Sequence, residues 1–202
     1  MQFIQGDGAT AGDAVMRAMF EARKRVFVDL LGWDLPVLAG RFEVDQFDDI
    51  HARYLILTDS EGQHLASARL LPTDRPHLLG SLFAELCDAP PPTGPSIWEI
   101  TRFCLDRRLR AGERRRWRDM LVHGIARYAL EQGITRYVGV AEPAWREQIL
   151  GFGWEAHALG PIGTVGGMRL GVLRIEIRPD TPALLAASGI QSQVPPAEAK
   201  AA

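Results

Sequence analysis

Between Asp13 and Leu30 the apolar residues Met16, Met19, Phe20, Val26 and Phe27 recur at helical spacing, and Arg23 falls on the same face. Two apolar runs, "RYLILT" and "HLASARLLP", flank the turn-prone "DSEG", a pattern that predicts an antiparallel hairpin over residues 53–71. A short helix follows around "LLGSLFAEL", and the prolines of "DAPPPTGPS" then exclude regular structure. "IWEITRFCL" reads as a strand with Ile97, Glu99, Thr101 and Phe103 on one side and Trp98, Ile100 and Arg102 on the other. The clearest helix spans residues 114–132, where Trp117, Met120, Leu121, Ile125 and Tyr128 form the apolar stripe and Gly133 supplies the stop. "RYVGVA" is a strand, "PAWREQIL" a short helix opened by proline, and "GMRLGVLRIEI" a last strand. This order of elements predicts an α/β fold: a three-layer α-β-α sandwich with a mixed central sheet.

At 202 residues with 47% hydrophobic content, the chain is long enough to bury one sizeable core. A single domain over residues 1–180 is expected, and the small, polar, Pro-containing end predicts a flexible tail over 181–202. The net charge of −2 carries no global polyelectrolyte signal, so neither a nucleic-acid nor a membrane partner is expected. No apolar run approaches the roughly 20 residues of a membrane span. Cys87 and Cys104 lack the spacing of a disulfide or redox motif, and "MQFIQGDGAT" lacks a signal-peptide pattern, so a cytoplasmic location is expected.

Charge placement changes this picture most. "FEVDQFDD" gathers Glu43, Asp45, Asp48 and Asp49 beside apolar side chains, while Arg23, Arg69 and Arg102 occupy positions that cores usually exclude. Each arginine alone can snorkel. Together with Glu43, Asp45, Asp48 and Glu99 they form a candidate network of three arginines and four carboxylates, whose one excess negative charge suits a cationic ligand. An EF-hand is excluded because the acidic stretch lacks the central glycine, and the scattered histidines make no zinc pair, so no metal is expected. "RFCLDRRLRAGERRRWRD" holds eight arginines from Arg102 to Arg118. It reads either as a solvated loop and helix start or as an anion site at a helix N-terminus, suited to a phosphopantetheine-bearing donor.

These residues resemble the acyl-homoserine-lactone synthase family, the Lux-type autoinducer synthases of quorum sensing. The resemblance lies in "RKRVFVDLLGWDL", "FEVDQFDD", "ARLLPT", Phe83 in "SLFAEL" and "WEITRF", in consistent order over residues 10–178. It implies a fold similar to that of the GCN5-related N-acetyltransferases. It also implies an acyltransferase that takes S-adenosylmethionine as a substrate, with no separate cofactor. The methionine amino group accepts an acyl chain from acyl carrier protein or acyl-coenzyme A, and the carboxylate then closes the lactone with release of methylthioadenosine. The runner-up is a related N-acyltransferase acting on another amine, and a third reading is a non-catalytic relative that binds one of these ligands.

Within the resemblance, Glu99 is the expected base, directly or through a water, with Glu43 as the alternate and Arg102 beside them. Arg23, Phe27, Trp33, Asp45, Asp48, Arg69 and Phe103 fall to the S-adenosylmethionine side. Phe83, Thr101, Met120, Leu121, Gly139 and Trp145 are candidates for the acyl pocket. Arg107, Arg108, Arg110, Arg114 and Arg115 are candidates for contact with the carrier or its phosphopantetheine. Family members with a threonine on the strand before "PAWREQIL" are associated with 3-oxo chains; Val138 and Gly139 carry no hydroxyl there, which favours an acyl group without the 3-oxo oxygen.

Overall fold

The computed structural model describes residues 2–5 and 10–190, with side chains from residue 14 onward. The elements in chain order are β1 (Gln2–Gln5), α1 (Thr10–Arg23) with a π turn at Lys24–Val28, β2 (Val37–Leu38), β3 (Phe42–Glu43), β4 (Arg53–Thr58) and β5 (His64–Pro72). Next come α2 (Leu78–Leu82) with a 3-10 turn at Ala84–Leu86, β6 (Ile97–Leu105), α3 (Ala111–Gln132), β7 (Arg136–Ala141) and α4 (Pro143–Leu150). The chain continues through β8 (Ala156–Ala158), β9 (Gly163–Val165), β10 (Met168–Glu176) and α5 (Thr181–Ala187). The main sheet runs β1-β4-β5-β6-β7-β10-β8, with β9 on β10, and β6 and β7 form its parallel pair. Helices on both faces make this the expected α-β-α sandwich.

The alternation of the strands divides the core. Leu55, Leu57, Ala66, Ala68 and Leu70 face α3, whose Leu121, Val122, Ile125 and Ala129 are buried against them. Tyr54, Ile56 and Leu71 face the other way, toward Met19 of α1 and Phe47. Helix α3 begins at Ala111, a turn earlier than the apolar stripe alone indicates, because the Glu113 carboxylate accepts the Arg110 N–H at 3.0 Å. It ends at Gly133, whose φ of +69° only glycine adopts without strain.

Two features of β6 position the site. Its pairing with β7 covers only Ile97–Ile100 against Arg136–Gly139, so beyond Ile100 the two strands part. On its other side, Ser67 pairs with Cys104 and Arg69 with Thr101, leaving Ala68 opposite both Arg102 and Phe103. This is a β-bulge, and Arg102 takes a φ of +49° within it. The bulge overturns the simple alternation expected of this strand. Arg102 joins the face of Glu99 and Thr101, while Phe103 turns to the α3 side with Trp98 and Ile100.

The C-terminal expectation is corrected in part. Residues 181–190 are not a loose tail: α5 packs on α3 with Leu185 and Ile190 buried, and the Ile190 carbonyl lies 2.7 Å from His123 Nε2. Residues 191–202 lie outside the described residues. Among the described residues, no helix is long and apolar enough to cross a membrane.

Candidate active site

Arg23, at the last turn of α1, is fully buried. Its Nε donates to Glu43, and its Nη1 and Nη2 donate to the two oxygens of Asp48 at 2.8 and 2.9 Å. Arg69 on β5 holds Asp45 in the same two-pronged manner, at 2.6 and 3.0 Å, and gives its Nε to Thr101 Oγ1 at 2.9 Å. Arg102 bridges the group, donating to Glu43 at 3.0 Å and to Asp45 at 2.8 Å. The parallel N–H pairs match the carboxylate fork, a geometry that lysine lacks. Burial alone would push Asp48 up, but the Arg23 and Arg69 guanidiniums outweigh it and hold the carboxyl well below the usual range. The acidic stretch is itself tied down: Asp45 N–H donates to Asp48, and Asp45 accepts from Phe47 N–H.

Glu99 stands outside this network. It is buried, and its Oε1 accepts the Leu79 N–H at 2.9 Å at the start of α2, while Oε2 has no partner among the described residues. Desolvation outweighs the α2 amides and the nearby arginines and raises its carboxyl to about 8. The network therefore closes at three arginines against three carboxylates, correcting the expected excess of one negative charge; the fourth carboxyl stays protonated near neutrality. Among the described residues, no cluster of three or more His, Cys, Asp or Glu is placed to hold a metal ion.

A cleft of about 540 Å³ opens where β6 and β7 part. One wall carries Asp45, Thr101 and Arg102, and the rest is mainly apolar, with Phe27, Trp33, Phe83, Phe103 and Trp145 among its lining. Trp33 lies stacked on Phe27, ring centroids 5.0 Å apart, held by the π turn that ends α1. Arg23, Glu43, Asp48, Arg69 and Glu99 do not line the cleft and support the wall from beneath. Gly139 lines a smaller adjoining cavity that Trp145 shares. Met120 and Leu121 line neither space; α3 instead presents Val122 and Ile125 to the smaller cavity, because those two share the helix face turned to the split.

Comparison with known proteins bears directly on this arrangement. The family profile described as autoinducer synthase matches residues 9–175. The chain belongs to the autoinducer synthase family. An acyl-homoserine-lactone synthase of Ralstonia nicotianae is 37% identical to this synthase over 194 residues, covering 93% of the chain and 94% of the relative. The CoA-dependent acyl-homoserine lactone synthase BjaI, solved with SAM and isopentyl-CoA and also with MTA, superposes at a TM-score of 0.83 with 26% identity, over 93% of this chain and 88% of that one. A protein of Lactobacillus plantarum designated an N-acetyltransferase shares the fold alone, with a TM-score of 0.60, 16% identity and coverage of 88% and 98%.

In this autoinducer synthase the basic run is divided by geometry. Arg114 lines the cleft, Arg108 is drawn onto Asp106 at 2.7 Å, and Arg115 leans toward Asp119 at 4.0 Å. Arg107 and Arg110 are exposed. Sequence reasoning missed Tyr54, whose hydroxyl donates to Asp48 at 2.8 Å, because a tyrosine in a strand reads as an ordinary sheet residue. It also missed Glu142, which lies at the cleft just after β7, and the leucines 30, 31 and 82 on the rim, whose exposure no spacing rule reveals.

Proposed function

We propose that this synthase makes an acyl-homoserine lactone from S-adenosylmethionine and an acyl thioester of acyl carrier protein or coenzyme A. The observation that carries the reading is the cleft itself, a single space with a carboxylate and arginine wall on one side and an apolar lining leading into the split between β6 and β7 on the other. A substrate carrying ammonium, carboxylate and sulfonium groups suits the first wall and an acyl chain suits the second. Arg102 is the member of the arginine network that reaches the cleft surface and the group we assign to the methionine carboxylate, while Asp45 faces the cations. Arg23, Asp48 and Arg69 hold that wall rigid from below. Phe27 and Trp33 present aromatic surface to adenine or to the sulfonium.

The amine must lose a proton before it attacks the thioester carbonyl. Arginine donors already occupy the oxygens of Glu43, Asp45 and Asp48. Glu99 keeps one oxygen unengaged, and an arriving cation favours its ionised form; because it does not line the cleft, we assign its contact with the amine to water. The N–C bond forms as the thioester C–S bond breaks; of the two protons that the ammonium nitrogen sheds, one leaves through Glu99 to solvent and the other ends on the departing thiolate. The carboxylate oxygen then attacks the γ-carbon, and the electrons of the breaking C–S bond neutralise the sulfonium as methylthioadenosine leaves. No separate cofactor is needed, because S-adenosylmethionine is consumed.

Arg107, Arg110 and Arg114 are the contacts we assign to the donor's carrier or phosphate groups, with Arg108 and Arg115 beside them. The lack of a hydroxyl at Val138 and Gly139 supports an acyl group without a 3-oxo oxygen. Free thiols at Cys87 and Cys104 support a reducing, cytoplasmic setting. Incubation with S-adenosylmethionine and matched acyl carrier protein and acyl-coenzyme A thioesters, with lactones identified by mass, tests the reading. No lactone from S-adenosylmethionine, with amide formed when another amine replaces it, would instead support acyl transfer to that amine.

A further inference from the structure

Helix α2 is five residues long, too short to keep its shape alone, yet its first amides are what hold Glu99. The Leu79 N–H donates to Glu99 Oε1 at 2.9 Å, and the Leu78 N–H acts on the same carboxyl. Two anchors fix this turn. The Leu79 side chain is fully buried in the core with Val138 and Val172. The other anchor is His77, the residue before α2, which is buried although its side chain caps no amide of the helix. Its Nδ1 lies 2.8 Å from the Arg75 carbonyl, which only accepts, so Nδ1 carries the proton. Nε2 is then the bare nitrogen, buried and with no partner among the described residues. The far side of the ring presses on Gly80: a Cβ there would stand 2.7 Å from Cε1 and 2.8 Å from Nε2, closer than packed atoms approach. Gly80 has no positive φ, so this glycine provides space and not a special backbone conformation.

We propose that His77 is a positioning residue for Glu99: its ring, wedged between the Arg75 carbonyl and Gly80, keeps the Leu78 and Leu79 N–H groups aimed at the carboxyl. The inference rests on the acyl-homoserine-lactone reading and adds to it a residue that acts on the base from outside the cleft. Around Glu99, Arg69 of β5 and Arg102 of β6 also favour the ionised form, and its strand neighbours Leu71 and Val138 carry no charge. Ahead of α2, Asp74 and Arg75 face each other at the surface. The two amides do more than the arginines to offset the burial of the carboxyl, so loosening α2 removes its main support. The bare Nε2 keeps His77 neutral in place, since a proton there would be a buried donor with nothing to accept it.

The test compares the wild type with Gly80→Ala, whose new Cβ displaces the ring while keeping the imidazole and every residue that lines the cleft. Loss of the amides raises the folded carboxyl further, so the expected shifts run upward. The acidic limb of kcat/KM, read as methylthioadenosine release from S-adenosylmethionine and an acyl thioester, should move up by about one pH unit, a loss of about tenfold at fixed pH on that limb. His77→Asn keeps a donor for the Arg75 carbonyl and removes the atoms that meet Gly80, so adding it to Gly80→Ala should return the limb to its wild-type position. A second readout needs no turnover. In urea unfolding, the loss of stability with rising pH should continue about one pH unit further in Gly80→Ala than in the wild type, and the difference should vanish when both carry Glu99→Gln. His77→Ala, which removes the wedge without adding an atom, should show the same two shifts; their absence there overturns the proposal even if Gly80→Ala does not fold. A lower kcat/KM with an unshifted limb also overturns it, leaving His77 a packing residue only. No methylthioadenosine from the wild type overturns the underlying reading, and the urea profiles then decide the proposal by themselves.

Discussion

Replacing Glu99 by Gln removes a titrating group while keeping an oxygen that accepts the Leu79 N–H, so it separates the proton from the cap. In the wild type the carboxyl moves from 4.5 unfolded to about 8 folded. The unfolded chain therefore loses this proton as pH rises through 4.5 while the folded protein keeps it until about 8. The stability tied to the proton is full below the lower value and lost as pH climbs through the upper one. The displacement corresponds to roughly 5 kcal/mol at about 1.36 kcal/mol per unit. Urea unfolding of both proteins from about pH 5 to about pH 8 reads this directly. Glu99→Gln should gain on the wild type across that window, by at least about 2 kcal/mol in total. In the same variant the rise of kcat/KM with pH toward 8 should disappear, with activity down by about 10²-fold or more. Parallel stability profiles would show that Glu99 is not a buried protonated acid, and an unaltered pH–rate profile would remove it as the base.

Other outcomes follow from the ion-pair network. Arg69→Ala leaves Asp45 and Asp48 buried with fewer donors and should cost about 3–5 kcal/mol in urea unfolding. Asp48 titrates below its unfolded value, so its contribution is full above that value and lost as pH falls; Asp48→Asn should be less stable near neutrality yet lose less on acidification, as thermal melts would show. Tyr54→Phe removes one hydrogen bond to that charged carboxylate and should cost about 1.5–3 kcal/mol in urea unfolding, although Tyr54 does not touch the cleft. Trp33→Ala removes aromatic surface from the cleft wall and should raise KM for S-adenosylmethionine well above its effect on KM for the thioester, measured by varying each substrate in turn.

The residues that break local rules were the ones that sequence reasoning found. Arg23 on an apolar helix stripe, Arg69 in a strand and the crowded carboxylates of residues 43–48 conflict with burial unless they meet, and they do meet. The exception is Glu99, grouped with them by charge; its partners are backbone N–H groups of a short helix, which no charge count reveals. Strand alternation puts Arg102 on the wrong face because it assumes an unbroken ladder, and a bulge is set by the partner strand rather than by the residues of β6 alone. The apolar stripe of α3 does not fix its phase toward the split, which tertiary packing sets, so Val122 and Ile125 line the smaller cavity while Met120 and Leu121 do not. The strands β8 and β9 are three residues each, too short for a periodic signal.

In the proposed reaction one cleft performs both acylation and ring closure on S-adenosylmethionine. The most direct measurement follows free thiol and methylthioadenosine together while the purified protein turns over S-adenosylmethionine with a short acyl thioester. That reaction yields equal amounts of the two, each matched by one acyl-homoserine lactone. Thiol released without methylthioadenosine, or no release of either, would contradict it.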